Sequence, residues 1–241
     1  MVIRAGIVVR ALVIAVAVVW ALAAASARPA APQSAAHTPG IVDRVRALER
    51  AAIHGDRLAA REAATWLAEH ATPSPLPDGT QPLVGRLREA TSAVARATDV
   101  AGTVAATADL VASCGSCHEA ARVTSVFPRT ARPAFDSIAG HMVRHQDAAE
   151  LMLEGLVVPS HAAWTRGAGQ LREAPLKPGD FPVSERIGAL MADVERRLHA
   201  QAADAMTAAD IPSRSRAYAT LLTTCAECHT RHTTLWPQGR R

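Results

Sequence analysis

All four cysteines of this chain fall in two copies of one pentapeptide, Cys114-Gly-Ser-Cys-His118 and Cys225-Ala-Glu-Cys-His229, set 111 positions apart. Whatever structure surrounds the first copy has to be built a second time around the other. The flanking sequence agrees. Arg44–Trp66 laid over Met142–Trp164 without gaps brings Val45 onto Val143, Ala51 onto Ala149, Leu58 onto Leu156, Ala64 onto Ala162 and Trp66 onto Trp164, a shift of 98. The two shifts differ by 13 residues, an insertion that loops between elements tolerate. The pattern reads as a tandem duplication, with residues 41–130 and 131–241 as its two units.

Composition decides what each unit is made of. Alanine supplies 53 of 241 residues and aromatics only 3%. An all-β fold needs β-branched and aromatic positions that are missing here, whereas alanine loses no side-chain entropy on entering a helix. A core so poor in aromatics requires helices that pack very closely, or a non-protein body to fill the space. Breakers and caps divide the chain. The first unit reads as helices over Ile41–Ile53, from Asp56 to about Ala71, over Leu83–Ala97 and over Asp99–Arg122, with Thr72–Pro82 as a loop. The second reads as Phe135–Val158, Ser160–Glu173, Ser184–Thr207 and Ile211 to about Arg231. No stretch alternates as a strand does. The expected fold is all-α: two tandem four-helix-bundle-like units, each with its pentapeptide at the end of its last helix.

The amino terminus is a targeting segment. Arg4 and Arg10 precede the apolar run Ala11–Ala25, and Ala25-Ser26-Ala27 has the small-x-small form of a cleavage site. Fifteen apolar residues fall short of the roughly 20 that a spanning helix needs, so residues 1–27 read as a cleaved signal peptide rather than a retained anchor. Residues 28–40, rich in Pro and Ala, read as a leader. The expected location is outside the cytoplasm, in the periplasm, with no stable membrane span. A formal charge of +4, with basic residues scattered along helical stretches, argues against a nucleic-acid partner.

The pentapeptide C-x-x-C-H reads as a c-type haem attachment site. Two thiols three positions apart share one side of a helical turn, in reach of the two vinyl groups of one porphyrin. The following histidine then lies under the iron. Cys114, Cys117, Cys225 and Cys228 are thus the expected covalent anchors of two haem c groups, and His118 and His229 the proximal ligands. A four-thiolate zinc site, a redox dithiol and structural disulfides are the competing uses of these cysteines. Two complete copies, each followed by His, favour haem over all three.

The placement of both motifs at the end of a final helix resembles the class II c-type cytochromes, the four-helix-bundle group that includes cytochrome c-prime. The resemblance rests on Leu110–Arg122, LVASCGSCHEAAR, and on Leu221–His232, LLTTCAECHTRH. It implies a propionate contact for Arg122, four residues after the first haem histidine; the second unit has Thr233 at that position. It also implies a distal side built from the start of each unit's first helix, with Met in low-spin members and an apolar residue in five-coordinate ones.

In the second unit that region holds His141, Met142 and His145. His141 and His145 share a helix face at i, i+4, and the order of preference as distal ligand is His145, Met142, His141. Proximity along the chain also lets His141 lean toward the first haem. The first unit has Asp43, Arg44 and Ala47 at the matching positions, none a candidate. His54 reads as a helix-ending residue, and His70, His161 and His199 as surface residues. Trp66 and Trp164 read as packing under a haem or between helices.

No nucleophile or acid–base constellation is visible, so the expected role is electron transfer between unidentified redox partner proteins rather than enzymatic chemistry. A dihaem peroxidase would need a placed distal base, and the first unit offers none. The alternative is binding or sensing of a gas, nitric oxide or carbon monoxide, at an open haem in that unit.

Overall fold

Strong caps start most of the helices. Asp56 accepts from the backbone N–H of Leu58 and Ala59 at 3.1 and 3.0 Å, Asp99 from Gly102 at 2.7 Å, Ser137 from Gly140 at 3.1 Å and Ser160 from Ala163 at 3.2 Å. Each satisfies a donor that the first helical turn leaves unpaired. The structure, a computed structural model, describes residues 40–72, 76, 78–123, 127–128, 137–173 and 175–235. Among the described residues the chain is all-helical, with no strand. Its helices are α1 (Ile41–His54), α2 (Arg57–His70), α3 (Gln81–Arg96), α4 (Val100–Ala120), α5 (Ile138–Val157), α6 (His161–Leu171), α7 (Glu185–Ala205) and α8 (Ile211–Leu235). A single 3-10 turn, Pro178–Asp180, lies between α6 and α7. The signal segment, and the leader apart from Gly40, lie outside the described residues.

Boundaries differ from the sequence reading where a local rule was misapplied. Helix α3 starts at Gln81 rather than Leu83, because Pro82 is tolerated in a first turn, where its missing N–H has no partner to lose. Helix α5 starts at Ile138, after Ser137, and not at Phe135. Helix α6 stops at Leu171, short of Glu173. Ser184 does precede α7, but its side chain makes no capping bond.

Consecutive helices pack side by side from α1 to α4, and α4 returns to α1; the same holds from α5 to α8, with α8 touching α5. The two halves are not separate bodies. Helix α8 lies along α4 and α1, and α4 meets α5, so all eight helices belong to one compact unit. Leu48, Leu67 and Leu110 share one buried cluster with Met152, Leu156, Trp164, Tyr218 and Leu222. Burial of each such side chain is worth about 1.5–3 kcal/mol. The scarcity of aromatics is met by close approach. A Cβ on Gly155 would stand 2.6 Å from the Trp164 backbone nitrogen, and one on Gly167 would stand 2.6 Å from the Ala148 carbonyl. Helices α5 and α6 therefore pack backbone against backbone.

Helices α4 and α8 run antiparallel. Ser215 near the start of α8 donates to Asp109 of α4 at 3.1 Å, and Ile211 lies 3.6 Å from the Cβ position of Gly115 near the end of α4. At the other end Gly55 lies between Val100 of α4 and Thr230 of α8. This orientation sets where the two pentapeptides lie. Among the described residues α4 is also the one helix long and apolar enough to cross a membrane, and here it is a core helix packed against α3, α5 and α8.

Candidate functional site

The two pentapeptides end up at opposite ends of the α4–α8 pair. Gly115 is level with Ile211, and His229 follows Ile211 by 18 residues of continuous helix, about 27 Å at 1.5 Å per residue. The four thiols therefore cannot share one zinc ion, whose sulfur ligands sit about 2.3 Å from the metal. All four cysteines are free and partly buried. Burial pushes the Cys114 and Cys225 thiols up to about 12 and Cys228 to about 11, and raises Cys117 as well. In this fold they are neutral S–H groups.

At the first end, α4 presses its motif onto the last turn of α5. A Cβ on Gly115 would sit 2.1 Å from the Leu156 carbonyl oxygen, so only glycine fits there. One residue on, the Val157 carbonyl meets His118 Nδ1 at 2.7 Å. A carbonyl only accepts, so this bond requires the proton on Nδ1 and makes Nε2 the unprotonated, ligand-type nitrogen. A backbone acceptor behind a ligating imidazole is a common way of fixing its tautomer and ring plane. Arg122 is exposed and holds a left-handed backbone, φ 52°, in the turn where Val123 N–H bonds to the His118 carbonyl at 2.9 Å. It ends α4 in the position usually given to glycine. Asp43 and Arg44 at the start of α1 are exposed, and Ala47 is half-buried.

At the second end lies a cavity of about 240 Å³. Cys225, Cys228 and His229 line it from α8, and Met142 and His145 face them from α5. The start of the second half's first helix thus does lie opposite the second motif. His54, from the end of α1, reaches the same cavity and sets its ring edge-on to His229, centroids 4.4 Å apart. Tyr218 also lines it and donates to the buried Glu49 carboxylate. Burial, then the Glu49 charge, hold that phenol well above its ordinary range, so it remains a donor.

His141 is not among the cavity-lining residues. It is buried against Glu195 of α7, Nε2 to Oε1 3.2 Å. Nor can it serve the first motif: it precedes Val157 by 16 helical residues, about 24 Å. His199 corrects the sequence reading. It is buried, not on the surface, and its Nε2 meets Glu195 Oε2 at 2.8 Å. His70 and His161 are exposed as expected. His54 does end α1, as expected, but its contact with His229 was not foreseen. Trp164 packs between helices, its indole N–H donating to the Ala205 carbonyl at 2.9 Å; Trp66 is half-buried and stacks on His70 at 4.2 Å.

Sequence reasoning missed Glu195 altogether. The available signal was the pair Glu195/His199 at i, i+4, which matches the pair His141/His145 in spacing. The chain matches no family model, no curated protein and no solved structure.

Proposed function

We propose that this chain is an exported dihaem c-type cytochrome that carries electrons, built as two tandem four-helix units. The observation that carries the reading is the His118 imidazole, whose Nδ1 is committed to the Val157 carbonyl at 2.7 Å within a C-x-x-C-H sequence. Support at the other motif comes from the apolar cavity between Cys225, Cys228, His229 and the facing Met142 and His145. Haem, when bound, supplies a one-electron iron couple. The chain supplies the rest. Cys114 and Cys117 would hold one haem and Cys225 and Cys228 the other, each S–H adding across one vinyl C=C so that sulfur takes one carbon and hydrogen the other. The two histidines then orient by their backbone and ring neighbours. Burial and axial ligand set each potential.

Met142 is the distal ligand we assign to the second haem. Both Met142 and His145 line the cavity, but His145, first in preference on sequence, also stands with its ring 4.3 Å from His141 and 5.3 Å from His199. The first haem is assigned an open distal side, since α1 begins with the exposed Asp43 and Arg44. Gas binding at that iron is the second reading, favoured by the same observation.

Pyridine haemochrome assay on purified protein is expected to count two haems per chain, and one after Cys114→Ser with Cys117→Ser. Carbon monoxide is expected to bind one of the two reduced haems in the wild type and both in Met142→Leu. Two low-spin haems with no gas uptake would remove both the open site and the gas-binding reading. Absence of covalent haem would remove the whole proposal.

A further inference from the structure

We propose that His141 and His145 of α5, with Glu195 and His199 of α7, form a second kind of metal site: a non-haem centre for one divalent transition-metal cation. The four residues come as two i, i+4 pairs on helices that face each other, which is how helical bundles build metal sites between them. Their ligand atoms all lie within 4.8 Å of one another. Glu195 is the hub, with its carboxylate oxygens 3.2 Å from His141 Nε2, 2.8 Å from His199 Nε2 and 3.9 Å from His145 Nε2. A tetrahedral ion with bonds of about 2.0–2.2 Å has ligand atoms about 3.3–3.6 Å apart. The cluster therefore needs side-chain adjustments of an ångström or less, with no movement of the helices.

Two further observations point to a cation rather than to a self-contained hydrogen-bond network. First, His145 Nε2 is buried with no hydrogen-bond partner, a cost of about 1–3 kcal/mol that a buried polar atom normally avoids. It stands 3.9 Å from Glu195 Oε2, the oxygen that His199 also meets. Second, the Glu195 carboxylate is only 3% exposed, and three imidazoles on two helices converge on it. Three imidazoles and one carboxylate suit zinc and the later first-row divalent ions rather than magnesium or calcium.

The site borders the second haem cavity, because His145 and Glu195 line that cavity too. A cation there would fix α5 against α7 and hold Met142 in place across from His229. The inference does not need the haem reading, since none of its four ligands belongs to either pentapeptide.

The test uses purified, haem-loaded protein, stripped with a chelator and titrated with Zn²⁺ by calorimetry, with metal counted by mass spectrometry and haem by the pyridine assay. One zinc per chain is expected. Affinity should fall about 100-fold or more in Glu195→Gln, a change of similar shape, and in His199→Gln, on the scale by which even outer-shell partners weaken metal sites. His70→Gln, an exposed histidine on α2, should leave zinc affinity unchanged. Two haems with no zinc uptake would overturn the metal site and leave the haem reading intact. Zinc uptake that survives both Glu195→Gln and His199→Gln would overturn it as well. One zinc lost in those variants but found in protein without haem would uphold the site and sink the cytochrome reading instead.

Discussion

The first pentapeptide is clamped and the second is open. Gly115 and His118 lie against the carbonyls of Leu156 and Val157, backbone to side chain, with α4 seated on the last turn of α5. Cys225, Cys228 and His229 instead border a cavity of about 240 Å³. Yet both motifs obey one construction rule: each abuts the last turn of the other half's first helix, α5 for the first motif and α1, through His54 and Gly55, for the second. This reciprocal exchange of neighbours gives unlike sites to similar pentapeptides. The second motif faces Met142 and His145 across its cavity, while at the matching positions of the first half Asp43 and Arg44 are exposed. What differs is the partner each motif receives, not the motif.

Replacing the matched tryptophans sharpens this comparison most. Trp164 is fully buried, bonded to the Ala205 carbonyl at 2.9 Å and capped by Arg214 at 5.6 Å from its ring. Trp164→Ala should cost about 3–5 kcal/mol, as large-to-small changes in a filled core do, and leave the Ala205 carbonyl with only the Ala208 N–H at 3.1 Å. Trp66, half-buried over His70, should cost no more than about 2 kcal/mol on the same change. Chemical denaturation of both variants measures the pair. Equal losses would mean that the two halves depend on their tryptophans alike.

The glycine of the first motif gives the next effect. The second motif carries Ala226 where the first has Gly115, and Ala226 is buried without strain. Gly115→Ala copies the second motif into the first, but its Cβ would meet the Leu156 oxygen at 2.1 Å. The expected loss is about 1–3 kcal/mol, the scale of overpacking, together with a change in the first haem's spectrum as His118 is displaced from Val157. Ala226→Gly should cost the helix-propensity difference and one buried methyl, about 2 kcal/mol together, and leave the spectrum of the second end as it was. A neutral Gly115→Ala would break the claim that this end is clamped.

Most of the fold was legible in the sequence because the chain marks its own helices. Asp56, Asp99 and Ser160 cap where a polar residue precedes an apolar period, and Pro159 stops α5. The facing of Met142 and His145 to the second motif was legible too, since it follows from antiparallel neighbours alone. The join between the halves was not. Gly115 and Gly55 look like any glycines until a backbone from the other half stands over them, and such contacts have no periodicity. His199 was misread for a related reason. On α7 it lies among exposed arginines, Arg196 and Arg197, and only its contact with Glu195, which also meets His141 of α5, marks it as inside.

Helix starts separate the halves again, at smaller magnitude. In the first, the caps of α2 and α4 are aspartates; in the second, the caps of α5 and α6 are serines. Ser137→Ala and Ser160→Ala should each cost about 1 kcal/mol, with the same loss at pH 7 and pH 4, because a hydroxyl does not titrate there. A loss that shrinks on acidification would mean that these serines act through a charged neighbour. Thermal melts at the two pH values make the comparison.

Helix α8 breaks the serine pattern of its own half, and that gives the smallest effect. Asp210 accepts from the Ser213 N–H at 2.7 Å, while the Ser213 hydroxyl meets the Asp210 N–H at 3.2 Å. The Ser213 hydroxyl and backbone hold the exposed Asp210 carboxyl below its ordinary value. A carboxyl lowered in the folded state stabilises the fold above its unfolded pKa, and that contribution fades as pH falls through the folded value. The melting temperature of the wild type should therefore exceed that of Asp210→Ala by an amount that is constant near neutrality and shrinks on acidification. Salt should reduce the difference only modestly, since the bonds to Ser213 rather than a distant charge cause the shift. If the difference holds unchanged to the lowest pH at which the protein stays folded, the carboxylate form is not what caps α8, and the contrast between the halves then rests on the two pentapeptide ends alone.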